Sequence, residues 1–338
     1  MQAIVNPELR WALALSLTGL LPATGLGAQQ VERYAMSDDE VAIYNLVGQV
    51  RVEAGTGGEV TVQVTRGGAQ AAQIKVAQSK HDGEETLRFI YPGNRILYGG
   101  TSSGNSSTQL RVRDDGTFGD QGDDQDKDRK KEGRSVIISN AGGLDARANL
   151  RIGVPSGRQV SVYLAVGDVS ISNVNGTLHI DAATAPVTAS NTRGELEIDV
   201  GAGAVQVTQS RGDLSVDTGS GGVTVSDARG ESISIETGSG DVTATNLNSS
   251  QLSIDTGSGN IQVTSLTAPQ VSLETGSGSV TADLNGEIWN VKVETGSGDV
   301  TLKVPPTLAA EVDIETSSGD IETDFEVAVT RHARDHMT

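Results

Sequence analysis

The 338-residue chain contains no cysteine, which excludes a disulfide framework, thiol catalysis, cysteine-ligated zinc and a bacterial lipoprotein anchor. Aromatic residues make up only 3%. That is too few for a thick globular core and leaves little for the ring platforms that sugar-processing sites use. Basic side chains are in deficit: 25 Lys and Arg stand against 44 Asp and Glu, a formal net charge of −19. A nucleic-acid partner is thereby excluded, because phosphate neutralisation needs clustered Lys and Arg. Long apolar runs are missing as well. The run Trp11–Leu21 has 11 residues, well short of the ~20 that a membrane-spanning helix needs. No span is therefore expected in the chain that follows it.

That short run has a different use. One Arg precedes it, and small residues (ATGLGA) follow it up to Ala28. Basic residue, short apolar stretch and small residues in this order read as a secretory signal peptide over residues 1–28. The expected address is outside the cytoplasm: periplasm, cell surface or extracellular space.

What the chain has in abundance is glycine, 42 residues, and much of it sits in one recurring phrase. VDTGSGGV, IETGSGDV, IDTGSGNI, LETGSGSV, VETGSGDV and IETSSGDI place Thr at 218, 237, 256, 275, 295 and 316, in steps of 19 to 21. Worn copies continue upstream in steps of 18, at Val200, Ala182 and Leu164. Within one unit the pattern has period 2. Ile233, Ile235, Val242 and Ala244 point one way, while Ser234, Glu236, Asp241 and Thr243 point the other. This is a half-buried strand, a glycine turn and a second half-buried strand. A helix would need apolar positions every three to four residues, and a sandwich has no reason to repeat one turn at near-constant pitch. The expected fold is all-β: a single-stranded parallel β-solenoid, β-helix-like, with about 18–21 residues per rung. Ile/Leu/Val ladders would fill its interior, with Thr at the bend and Ser220, Ser239, Ser258, Ser277, Ser297 and Ser318 in the turn. Val174, Leu247, Leu266 and Leu284 are expected to point inward at a third edge.

Repeated GSGDV-type turns behind an export signal resemble the bacterial putative-adhesin family of β-strand repeats, a domain of unknown function with a toast-rack-like solenoid. The resemblance covers about 150–325 well and 40–98 loosely. It implies a parallel β-solenoid at the cell surface or in the periplasm, and a further closing repeat that this chain does not spell out. On this reading residues 29–98 form an N-terminal β region that starts or caps the coil. Residues 99–134, dense in charge and poor in apolar groups, form a mobile insertion. Residues 135–325 are the solenoid, and 326–338 are expected to be a C-terminal tail on a truncated last rung.

Chemistry-bearing residues fall in columns. Asp217, Glu236, Asp255, Glu274, Glu294 and Glu315 share one outward column; Asp241, Asp299 and Asp320 share another with Asn260 and Ser279. Paired carboxylates are the minimum for glycoside chemistry, so a carbohydrate-active parallel β-helix enzyme, lyase or glycosidase, is the alternative reading. A catalytic pair, however, is singular and set apart by its environment, whereas these acids recur on almost every rung. No catalytic or cofactor-binding residue is assigned, and the expected function is a non-enzymatic scaffold or binding module for a surface polymer or protein. Like charges ~4.8 Å apart repel by about 0.9 kcal/mol even in water. Ca²⁺ could relieve this, with Glu236, Asp241, Glu294, Asp299, Glu315 and Asp320 as candidate ligands.

Other motifs dissolve on inspection. The run from Asp124 to Asp128 is no EF-hand, since Arg129 stands where Gly is required and Ser135 at the twelfth position. His81, His179, His332 and His336 sit in no triad or HExxH context. Arg211-Gly212-Asp213 is a repeat corner, written Arg193-Gly194-Glu195 and Arg229-Gly230-Glu231 elsewhere. Open strand edges at the rod's ends allow end-to-end self-association. Expressed in a Gram-negative host, the exported protein is expected to begin at Gln29. Amino-terminal sequencing checks this, and a chain still carrying residues 1–28 would contradict the export reading.

Overall fold

A computed structural model describes residues 31–81, 83–98, 107–119, 133–306, 311–318, 320–323, 332–333 and 336–337. The expected signal peptide lies outside the described residues. Apart from a 3₁₀ turn at Ala71–Gln73, every described regular element is a strand. The first ten are β1 (Val31–Met36), β2 (Glu40–Ala54), β3 (Val60–Gly67), β4 (Lys75–His81), β5 (Glu84–Ile90), β6 (Arg95–Leu97), β7 (Ser107–Val112), β8 (Arg134–Ser139), β9 (Arg147–Val154) and β10 (Gln159–Ser172).

From β10 onward each rung gives one strand to each of two parallel sheets. The first face runs from the N-terminal half of β10 through Thr177–Thr184, Leu196–Ala202 and Leu214–Ser220 to Glu311–Thr316. The second runs from the C-terminal half of β10 through Val187–Arg193, Val205–Arg211 and Val223–Ser226 to Ile321–Thr323. The register offset is 18 residues between Val160 and Leu178, 19 between Ile233 and Leu252, and 21 between Asn290 and Glu311. The six threonines, Thr218 to Thr316, pair directly with one another along the first face.

Alternation decides what is buried. On the first face Val162, Ile180, Ile198, Val216, Ile235, Ile254, Leu273, Val293 and Ile314 form an inward column, none more than 1% exposed. Valines and alanines of the second face, Val187 to Val300 and Ala189 to Leu302, close the interior from the other side. Each such valine, leucine or isoleucine contributes about 1.5–3 kcal/mol by leaving water, and each alanine less. At the far corner Val174, Leu247, Leu266 and Leu284 are buried, and Thr192, Ser210 and Ala228 occupy the same place on other rungs. Just before these pegs, Asn173, Asn191, Gln209, Asp227, Asn246 and Ser265 all take left-handed backbone, φ 51° to 58°. Asn and Asp tolerate this region better than most residues. The Asn191 amide donates to Asn173 Oδ1 at 2.6 Å, tying one corner to the next.

The TGSG turn is built by stacking. Its threonine points inward, and the hydroxyls of Thr256, Thr275 and Thr295 donate to the carbonyls of Gly240, Gly259 and Gly278 one rung earlier, at 3.2, 3.0 and 2.9 Å. The turn backbone continues the ladder: Gly240 N–H donates to Ser258 O at 3.0 Å and Gly259 N–H to Ser277 O at 3.0 Å. So close an approach leaves no room for a side chain. A Cβ on Gly257 would lie 2.5 Å from Gly238 O, and one on Gly259 would lie 2.0 Å from Gly240 O. Several second glycines of the phrase also need positive φ, 156° at Gly240 and 151° at Gly278.

At the N-terminal end β2 lies parallel to β10 along its whole length, from Glu40 opposite Gln159 to Glu53 opposite Ser172. Beyond β2 the first face continues into β5 and antiparallel β4. The second continues into β9, then antiparallel β3 and β1. A buried polar knot holds this cap. Asn45 Nδ2 donates to Ala148 O at 2.8 Å, and Tyr91 Oη lies 2.8 Å from Asn45 Oδ1 and accepts from Ala148 N–H at 3.1 Å. At the other end, His336–Met337 lies antiparallel on Ile314–Glu315 and so covers part of the last rung of the first face.

The expectation of a free insertion over 99–134 is corrected for part of its length. Strand β7 pairs antiparallel with β8, which pairs parallel with β6, making a separate three-stranded sheet. Val112 and Phe118 are buried, and Thr108 meets Thr184 of the coil at 2.9 Å between hydroxyls. These few apolar groups, hidden in a polar stretch, are enough to seat 107–119 on the coil. Residues 99–106 and 120–132 lie outside the described residues. Replacing Gly259 with Ala is expected to destabilise the fold by at least ~2 kcal/mol, while Gly58→Ala, with open space around it, stays within about 0.5 kcal/mol. Chemical denaturation of both variants checks this; equal stability would deny the close stacking.

Candidate functional site

Because strands pair in register, like residues meet. On the first face the outward positions bring Asp181, Asp199, Asp217, Glu236, Asp255, Glu274, Glu294 and Glu315 into one column of paired neighbours. The column is longer than the sequence phrase suggested. Asp181 and Asp199 belong to worn copies, and their phase in the strand was the signal that could have found them. Above them the same column holds Tyr163 and Tyr44, stacked with ring centroids 4.3 Å apart and planes 5° apart. Phe118 meets Tyr44 edge-on at 5.8 Å. These rings are buried and offer no platform to solvent. Trp289, 63% exposed, stands at a corner instead.

The charges of the column are handled locally. Lys292, two residues before Glu294 on the same strand, bridges Glu274 and Glu294 at 2.9 and 3.0 Å. Its hydrogen bond to Glu274 holds that carboxyl below its ordinary range against the opposing effect of burial, and both acids hold Lys292 above its own. Asp255, which has no such bridge among the described residues, is pushed up by burial and then by the charge of Glu274. At the other end His179 Nδ1 lies 3.0 Å from Glu197.

The second acidic column serves the backbone. Asp241 Oδ1 accepts from Asn260 N–H at 2.8 Å, Asn260 Oδ1 from Ser279 N–H at 3.0 Å, and Asp299 Oδ1 from Asp320 N–H at 3.1 Å. Aspartate, asparagine and serine at this position cap the next rung's turn, which is why they interchange. Asp241 and Asp299 therefore stand across the turn from Glu236 and Glu294, immediately before the other strand of each rung. Among the described residues no three acidic or histidine side chains gather into a group that could hold a metal ion. Of the expected Ca²⁺ ligands, Glu294 pairs with Glu315 and Asp299 Oδ1 accepts from Asp320 N–H on adjacent rungs, while Glu236 and Asp241 belong to a rung three turns earlier.

The second face differs in kind. Its outward column Ser170, Thr188, Gln206, Thr224, Thr243, Gln262, Thr281 and Thr301 is uncharged. Toward the cap this column runs into arginines: Ser170 pairs with Arg51, and Arg51 with Arg151. There the sheet surface forms a groove of about 590 Å³, with Gln49, Arg51, Gln63, Asn149, Arg151 and Ser170 in its wall. Sequence reasoning missed this groove, since β2 and β9 are about a hundred residues apart and their pairing has no sequence signature. Among the described residues no helix is long and apolar enough to cross a membrane.

A family model described as Toastrack DUF4097 matches residues 128–338. Solved structures with a similar course include one called a "putative adhesin" from Parabacteroides merdae, at 14% identity and a TM-score of 0.41, covering 88% of this chain and 97% of that one. Another "putative adhesin", from Parabacteroides distasonis, is 12% identical with a TM-score of 0.42, covering 87% and 96%. A third, from Bacteroides fragilis, is 15% identical with a TM-score of 0.35, covering 88% and 98%. A search of curated proteins found no match.

Lys292 carries a pH-dependent prediction. A carboxyl lowered in the folded state stabilises above its unfolded pKa and loses that contribution as pH falls through the folded value. A raised lysine stabilises below its own unfolded pKa. Lys292→Met is therefore expected to lower stability near neutral pH, by no more than about 1 kcal/mol for so exposed a group. The deficit should vanish near pH ~3, where the acids are protonated. Thermal midpoints at the two pH values check it; an equal deficit at both would assign the loss to packing.

Proposed function

Because the chain belongs to the Toastrack DUF4097 family, we propose that it is an exported, non-enzymatic, adhesin-like β-solenoid that binds a surface polymer or protein outside the cytoplasm. The observation that supports this is repetition. The acidic side chains of the first face recur at the same register position from rung to rung, whereas a reaction centre needs a pair of groups set apart from all others. A regular rod with flat faces suits many weak contacts along an extended partner. End-to-end contact between rods belongs to the same proposal, since among the described residues β1 and β4 each have one unpaired edge.

The test is a binding and turnover screen of the purified exported chain against surface polysaccharides and proteins. Retention without product is the expected result. Product formation that disappears when one carboxylate pair is replaced would overturn the proposal in favour of a lyase or glycosidase.

A further inference from the structure

We propose that the groove at the N-terminal end of the second face is a binding site for an acidic polysaccharide, held through carboxylates by Arg51 and Arg151. The two arginines lie opposite each other on adjacent parallel strands, β2 and β9, where like charges directly opposed are unfavourable unless an anion lies between them. Arg151 gives its Nε to Glu53 at 2.6 Å, which leaves the terminal nitrogens of its guanidinium for a ligand. Arg51 is exposed and has no carboxylate partner among the described residues. A third arginine, Arg33, continues the row: it pairs with Gln63, which pairs with Arg151. A row of guanidiniums is an uncommon feature on a chain of net charge −19. The planar guanidinium fork binds carboxylates through two parallel hydrogen bonds.

The surroundings choose the class of anion. Between and beside the arginines stand Gln49, Gln63, Asn149 and Ser170, amides and a hydroxyl that both donate and accept. They suit a ligand rich in hydroxyls with a carboxylate at intervals. Asp168 at the groove's edge limits the number of anions that can enter. A duplex nucleic acid carries a charge every ~1.7 Å, a density that a groove with two arginines and Asp168 in its wall does not neutralise. The uncharged Ser170-to-Thr301 column leads out of the groove along the rod, so a bound chain can continue over hydroxyls at one rung per ~4.8 Å. Among the described residues no aromatic ring lines the groove, so recognition rests on charge and hydrogen bonds and weakens as salt is raised.

The experiment measures binding of the full exported chain to polygalacturonate, with dextran and poly-glutamate as competitors, by affinity electrophoresis and calorimetry at low and high salt. Polygalacturonate should bind at low salt, and dextran should not. Arg51→Gln combined with Arg151→Gln should weaken binding by about tenfold or more, with an unchanged circular dichroism spectrum. Arg51→Lys should fall between. Undiminished binding by the double variant, poly-glutamate binding as well as polygalacturonate, or no binding at low salt would each overturn the site. This inference deepens the scaffold reading but fails separately from it. Shortening of the polymer, followed by reducing-end release, would overturn the non-enzymatic reading and leave the site standing.

Discussion

The rest of the structure depends on how closely one turn can lie on the next. Strands in neighbouring rungs hydrogen-bond only if the turns between them stack at the same spacing, ~4.8 Å. At the TGSG bend that spacing brings a glycine α-carbon against the carbonyl beneath it, with 2.0 to 2.7 Å to any added Cβ. Glycine therefore stands twice in each TGSG phrase, with Ser317 replacing the first only on the last rung, and the buried hydroxyls of Thr256, Thr275 and Thr295 fasten the bend to the carbonyl of the rung before. The inward aliphatic columns supply the favourable free energy of burial. The turn decides that the energy is collected by a coil and not by some other stack of strands.

Much of this was legible in the residues. A period-2 alternation within a repeat of 18 to 21 residues leaves few folds open, and the threonine column, the aliphatic ladders and the corner pegs all follow from it. The legibility ends where the repetition ends. Asn173, Asn191 and Gln209 mark the left-handed corner, but their side chains vary too much to announce it. Phe118 and Val112 sit in a charged stretch whose average composition hides them. The pairing of β2 with β9 and β10 joins segments about a hundred residues apart, and nothing local in either strand states it. The Arg51–Arg151 groove depends on that pairing and was invisible for the same reason.

The two faces separate structural from functional uses of the same repeat. Asp241 and Asp299, conspicuous in sequence, are occupied in capping the next turn. The acidic column of the first face is a consequence of register, with Lys292 moderating it at one place. On the second face the Ser170-to-Thr301 column is uncharged, with Asp283, Lys303 and Glu322 confined to the last rungs, until it reaches the cap, where irregular strands bring arginines together. Departure from the repeat is thus where a distinct chemical environment arises, and a binding site is best sought there rather than on the regular rungs.

The central claim is that successive turns stack in register, each directly on the last. The absence of native cysteine allows a direct measurement: Ser258→Cys with Ser277→Cys on adjacent rungs, and Ser239→Cys with Ser277→Cys two rungs apart. Stacked turns place the first pair within reach of a disulfide and the second pair at ~10 Å, beyond it. Mild oxidation should therefore cross-link the adjacent pair within one chain and leave the other free. Cross-linking of both pairs to the same extent, or of neither, would contradict the stacked coil.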